Sequence, residues 1–149
     1  MCIRDRDGVS DRFLPGTEFS ASVLGNAWDM NGGDDVAAHN HLGSPIWVNG
    51  EMIFTTTGGD PYMRLNFAAD RPANTALFNK LVVRMYSSKA SQWTVLWQDT
   101  NSAYHTYPGF ITQAGWNTYE LDLTSSAEWT GQARLFHLKP AIEPGVTIP

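Results

Sequence analysis

Lys80-Leu-Val-Val-Arg-Met-Tyr-Ser87, Gln92-Trp-Thr-Val-Leu-Trp-Gln98 and Trp116-Asn-Thr-Tyr-Glu-Leu-Asp-Leu123 decide the fold of this chain. Each run is short, rich in β-branched and aromatic residues, and alternates apolar with polar positions, the pattern of a half-buried antiparallel strand. A fourth aromatic run, Tyr104 to Ile111, lies between the second and the third. Successive side chains of a strand point to opposite faces, so alternation also sorts the residues. The inward set is Met63, Leu65, Phe67, Leu81, Val83, Met85, Trp93, Val95, Trp97, Tyr119, Leu121, Leu123, Phe136 and Leu138. The outward set holds Tyr62, Arg64, Asn66, Arg84, Tyr86, Thr94, Gln98, Trp116, Glu120, Asp122, His137 and Lys139.

Away from this centre the same signals recur. Asn49-Gly50 sits between Ser44–Val48 and Glu51–Thr57 and supplies the positive φ angles of a type I′ hairpin turn. Gly58-Gly-Asp-Pro61 turns the chain into Tyr62–Phe67, and Gln132–Lys139 reads as a late strand. Glu18 to Leu24 alternates enough for an edge strand. Gly25 to Gly43 lacks a strand period, and one short helical turn is expected near residues 34–39, capped by Gly33 or Asp34. Turn signals spaced about 8–12 residues apart are those of an all-β, two-sheet antiparallel sandwich, a jelly roll. One such domain is expected over residues 16–149, behind a polar, aperiodic leader over 1–15 that is disordered or artefactual.

Bulk properties narrow the function. A chain of 149 residues with 42% hydrophobic content can bury a core as one domain. The formal charge of −5 and the scattering of its ten Lys and Arg argue against nucleic acid as a partner. Cys2 is the one cysteine, so no intrachain disulfide forms. No apolar run approaches the roughly 18 residues of a membrane span. Met1-Cys-Ile-Arg-Asp-Arg6 is charged where a signal peptide turns apolar, and it resembles translated sequencing-adapter sequence at the front of metagenome-derived reading frames. The chain is therefore read as a fragment of a larger protein.

Several stretches together carry a family likeness. Ala27-Trp-Asp-Met30, Asp35-Val36 and Thr55-Thr-Thr-Gly-Gly-Asp-Pro61 are followed by Gly115-Trp-Asn-Thr-Tyr-Glu-Leu-Asp-Leu123, Trp129-Thr-Gly131 and Leu135-Phe-His-Leu-Lys-Pro140. In this order they resemble the galactose-binding-domain-like jelly rolls, which occur as carbohydrate-binding modules and accessory domains of bacterial secreted proteins. The resemblance implies an extracellular or cell-surface module with a polysaccharide or oligosaccharide as partner, beside other domains of a parent protein. It also implies a structural calcium near the chain ends. That ion would draw on a carboxylate of a longer final strand, whereas here the strand stops at Ile148-Pro149, so no cofactor is expected.

Flat aromatic rings that stack on sugar C–H faces, with planar polar groups beside them, are the chemistry such a module needs. Tyr62, Arg64, Asn66, Arg84, Tyr86 and Gln98 would supply it if their strands are neighbours in one sheet, and otherwise form the solvated face of an ordinary sandwich. Tyr104, His105 and Tyr107, in the run after Asp99, add aromatic and polar groups at one end; they either bind ligand or fold down onto the core. His39-Asn-His41 opens like a metal motif of the cupins, but Pro45 and Ile46 stand where its glutamate belongs. Glu120 and Asp122 share a strand face, as paired glycosidase carboxylates do, and Thr124 replaces a third acid. No catalytic set has credible spacing. The expected function is a non-catalytic carbohydrate-binding module of a larger secreted protein. The alternatives are a structural or protein-interaction spacer, and a cupin-like metal enzyme using His39 and His41.

Overall fold

The computed structural model describes residues 17–140 and 147–148; the expected leader lies outside these residues, as do 141–146 and 149. In chain order the strands are β1 (Val36–Asn40), β2 (Leu42–Val48), β3 (Glu51–Thr56), β4 (Tyr62–Leu65), β5 (Ala73–Asn74), β6 (Lys80–Ser87), β7 (Ser91–Asp99), β8 (Tyr104–Thr112), β9 (Gly115–Asp122), β10 (Gln132–Pro140) and β11 (Thr147–Ile148). The larger sheet runs β1-β4-β10-β7-β8, with β5 against β10. The opposite layer holds β2-β3-β11 and the pair β6-β9, and β11 also lies beside β6. Every pairing is antiparallel. This is the two-sheet jelly-roll sandwich that the alternation predicts.

One apolar cluster lies between the layers. All of the inward set except Phe67 and Tyr119 are buried, and those two pack half-buried against the same cluster. Trp93 and Trp97, each 1% exposed, anchor it from β7. A fully buried Leu, Val or Met contributes about 1.5–3 kcal/mol, so register in each strand is held by its inward side chains. The Asn49-Gly50 turn has φ of 54° and 78°, as a two-residue hairpin between β2 and β3 requires.

Two expectations are corrected. Glu18–Leu24 is not an edge strand: Ser20–Leu24 forms a helical turn closed by Gly25 at φ 77°. The reason is that Phe19, Val23 and Leu24, at helical spacing, all reach the core. The helical turn near residues 34–39 exists but is shorter and earlier, at Gly33–Asp35. Asp35 is buried and accepts from the Met30 amide (2.7 Å) and Asn26 Nδ2 (3.2 Å), which pins that turn and releases Val36 into β1. The condition set for a shared binding face, that its strands be neighbours in one sheet, is met only in part: β6 and β9 pair together, and β4 and β7 belong to the opposite layer.

Candidate functional site

The outer face of the larger sheet is built from residues that alternate with core ones. Met63 and Leu65 point inward from β4, so Tyr62 and Arg64 point out; Phe136 and Leu138 do the same for His137 and Lys139 on β10. Arg64 lies opposite His137 across the β4–β10 ladder, His137 opposite Leu96 of β7, and Leu96 opposite Thr106 of β8. A parallel row runs Leu135, Gln98, Tyr104. The Tyr62 and His137 rings stack with centroids 4.7 Å apart and 5° between planes. Lys139 Nζ contacts Asp60 Oδ1 at 2.8 Å at the rim.

Electrostatics on this face are positive although the chain is acidic. His137 is held below its ordinary pKa by burial first, and then by the charges of Arg64 and Lys139. Its Nε2 is buried and has no hydrogen-bond partner among the described residues. Beside it, Arg64, Arg134, Gln98 and Leu135 line an open depression of about 260 Å³. Arg134 reaches this face because β10 carries a bulge between Ala133 and Leu135, which adds one residue and turns its side chain outward. Its guanidinium donates to Ser102 Oγ, and Gln98 Nε2 donates to the Ser102 carbonyl (3.1 Å).

The nine residues expected to bind ligand separate into four groups. Tyr62, Arg64, Gln98 and Tyr104 share the outer face of the larger sheet, and Tyr104 is 57% exposed. Asn66, just past β4, serves the adjoining loop: its Nδ2 donates to the Asp34 carbonyl and its own carbonyl accepts from Trp28 Nε1. His105 and Tyr107 fall on the inward side of β8. The His105 ring lies on Trp97, its Nε2 is 3.2 Å from Asp99 and its Nδ1 3.4 Å from Glu128; Tyr107 packs against the core. The Asp99 hydrogen bond raises the His105 pKa and in turn lowers that of Asp99. Arg84 and Tyr86 lie in the opposite layer, on the outer face of β6. There Arg84 sits over the Trp116 ring at 4.6 Å and Tyr86 meets Trp116 edge-on at 6.0 Å. No single site can therefore contain all nine.

Three residues of the larger-sheet face were absent from the expected binding set. His137 and Lys139 are outward by alternation, and only the missing knowledge that β10 adjoins β4 kept them out. Arg134 carries no sequence signal, because a bulge shifts parity without marking itself.

Most of the remaining constellations have structural employment. His39 is exposed near the end of β1, and His41, at φ 48°, lays its ring against Gly59, where a Cβ would come within 2.6 Å of Nε2. Among the described residues no group of three His, Cys, Asp or Glu is arranged to hold a metal ion. Glu120 pairs with Lys80 at 2.6 Å, and Asp122 accepts from the Thr124 amide and hydroxyl. Among the described residues no helix is long and apolar enough to cross a membrane.

No protein-family model and no curated protein sequence matches the chain. Among solved structures, the fold is similar to family 29 carbohydrate-binding modules. A variant of one superposes with a TM-score of 0.53 at 14% identity, over 74% of this chain and 72% of that one. Another variant, complexed with cellulohexaose, gives 0.52 at 14% identity over 74% and 71%. A further family 29 structure gives 0.52 at 13% identity over 74% and 69%. At these identities the likeness is one of fold: a jelly-roll sandwich shared with carbohydrate-binding modules.

Proposed function

We propose that this chain is a non-catalytic carbohydrate-binding module, which holds polysaccharide on the outer face of its larger sheet by ring stacking and hydrogen bonds. The observation that carries the reading is the stacked Tyr62–His137 pair, set beside Arg64, Gln98 and Arg134 around one open depression. Flat rings suit the C–H faces of a pyranose, and planar guanidinium and amide groups suit its hydroxyls. Support from fold comes from the similar modules, one of which is complexed with cellulohexaose. Glu120, Asp122, Asp99 and His105, which would otherwise suggest catalysis, are engaged in ion pairs, a turn and ring packing. Attachment to a larger secreted protein, at the cell surface or outside the cell, belongs to the same proposal.

Affinity electrophoresis through gels containing single polysaccharides, with cellulohexaose titrated calorimetrically, tests it. Retardation by at least one polysaccharide, abolished by Tyr62→Ala with thermal unfolding retained, is expected. A folded protein that no glycan retards would overturn it. A second reading, a protein-interaction spacer, draws on the opposite layer, where Ile46 and Val48 are 55% and 43% exposed near one another on β2. It predicts concentration-dependent association that Ile46→Glu abolishes.

A further inference from the structure

Of the seven basic residues between Thr17 and Pro140, three, Arg64, Arg134 and Lys139, stand on the outer face of the larger sheet. Asp60 is the one carboxylate in direct contact with any of them among the described residues, and it holds Lys139 at the rim. The depression itself is lined by Arg64, Arg134, Gln98, Leu135, Ala37 and Ala69, without an acid. No hydrogen bond or ion pair engages the Arg64 guanidinium among the described residues, and the small Ala38 across the β1–β4 ladder leaves its flank open. His137 stands in the same field: burial first, and then the charges of Arg64 and Lys139 against that of Asp60, hold its pKa below the ordinary value.

Among the described residues the half-buried Arg64 guanidinium has no acceptor, and Arg134 spends one donor on the Ser102 hydroxyl while no carboxylate meets either. Two such forks, with an amide between them and an apolar floor, match a planar carboxylate carried by a sugar ring. A sulfate ester offers charge without that planarity, and a neutral hexose leaves both cations unmatched. We propose that the ligand of this face is an acidic polysaccharide bearing uronate carboxylates, with Arg64 and Arg134 clamping one carboxylate while Tyr62 and His137 receive the ring. The inference rests on the carbohydrate-binding reading and adds the charge class of the glycan. The acidity of the whole chain does not oppose it at physiological ionic strength, since charges beyond about 8 Å are screened.

The test compares polygalacturonate, a sulfated galactan and neutral glucomannan in affinity gels and in calorimetry, at two salt concentrations. Tightest binding to polygalacturonate is expected, weakening as salt rises. Arg64→Ala and Arg134→Ala should each lower that affinity at least about tenfold, because each removes charge-assisted hydrogen bonds. Arg64→Lys, which keeps the charge and loses the fork, should fall between. Arg84→Ala, which removes the same charge from the opposite layer, should change affinity less than about twofold. Unfolding midpoints of all four variants establish that the fold persists. Binding to glucomannan alone, indifferent to Arg64 and Arg134, would overturn this inference and leave the carbohydrate-binding reading standing. Sulfated galactan binding as tightly as polygalacturonate would overturn the carboxylate assignment, and failure of every glycan would overturn both.

Discussion

The two outer faces of the sandwich are made from similar residue types and differ in how the backbone presents them. On β6 and β9 the ladder runs without a register shift from Lys80 opposite Asp122 to Ser87 opposite Gly115. Regular alternation brings Arg84, Tyr86 and Trp116 together there, and they satisfy one another: the guanidinium covers the indole and the phenol closes its edge. The larger sheet is broken by register shifts in three of its ladders, β1–β4, β7–β8 and β7–β10. Each shift turns a side chain off the strict period. Arg134 arrives beside Arg64 by that route, and among the described residues neither cation meets an aromatic or acidic partner. The bulge in the β7–β10 ladder adds a cation to the unmatched cluster, and the unshifted β6–β9 ladder builds the self-satisfied one.

The widest separation between the two regions should appear when a methyl group is added to their glycines. Gly109, in the β7–β8 irregularity at φ 91°, has the Trp93 carbonyl where a Cβ would stand, 1.9 Å away. Gly115, opening β9 at nearly the same φ of 89°, has nothing within 4 Å. Gly109→Ala adds overpacking against backbone to an unfavourable φ, for about 3–5 kcal/mol and a Tm roughly 10 °C lower. Gly115→Ala bears the conformational part alone, about 1–2 kcal/mol. Calorimetric unfolding of both variants checks the pair; equal losses would mean that the bulge is not the tight point.

Two aspartates sharpen the contrast through pH. Asp35, which supports the edge of the larger sheet, is raised to about 6, chiefly by burial and against the opposing Met30 hydrogen bond. Its folded form therefore holds the proton more tightly than the unfolded chain. Stability is full below the unfolded value near 4 and declines as pH rises through 6, by on the order of 2–3 kcal/mol. Asp122, at the end of β9, is lowered by the Thr124 hydroxyl and amide, so its contribution is present above the unfolded value and lost as pH falls through the folded one. Tm measured from pH 3 to 8 should lose its decline between 4 and 6 in Asp35→Asn. The slope is the readout, because the amide also turns a donor toward one of the two groups that the carboxylate accepts from. Asp122→Asn should alter only the acid limb. A decline that survives in Asp35→Asn would assign it elsewhere.

This difference between the faces also marks how much was legible beforehand. Strand parity identified Leu65, Trp93, Trp97 and Leu138 as core because burial enforces a period of two wherever one face is dry. It equally placed Arg64 and Arg84 outward. Parity says nothing about which strands adjoin, since that depends on crossovers between distant segments: β4 meets β10 across more than sixty residues of chain. Arg64 and Arg84 thus looked like members of one site and lie on opposite layers. Arg134 was invisible for the converse reason, because its bulge breaks the rule by which outward residues are found. His105 and Tyr107 misled in a third way, since polar aromatic rings near a strand end can serve the interior when a carboxylate such as Asp99 meets the nitrogen.

At the level of binding, Tyr62→Ala and Trp116→Ala remove comparable aromatic bodies from the two faces. Tyr62→Ala should weaken polysaccharide binding by about tenfold or more, through loss of the stacked surface. Trp116→Ala should change it less than about twofold, and titration of both against the same glycan measures the ratio. A larger loss from Trp116→Ala would move the site to the β6–β9 layer, with Arg84 and Tyr86 as its polar groups.

The smallest effects separate two ion pairs that look alike. Lys80–Glu120 at 2.6 Å and Lys139–Asp60 at 2.8 Å are both at the surface, each with one side chain close to half exposed or more. Screening by water leaves each pair worth less than about 1 kcal/mol, so Lys80→Ala and Lys139→Ala should both lower Tm by no more than about 4 °C. Their roles in binding differ by position. Lys139 adds to the field that already depresses His137, whereas Lys80 lies at the end of the opposite ladder. Lys139→Ala should therefore weaken acidic glycan binding a few-fold, about 3–5 times at low salt and less as salt rises, with no change for Lys80→Ala. Equal responses of the two variants would mean that net charge, rather than its placement on the bulged face, governs attraction.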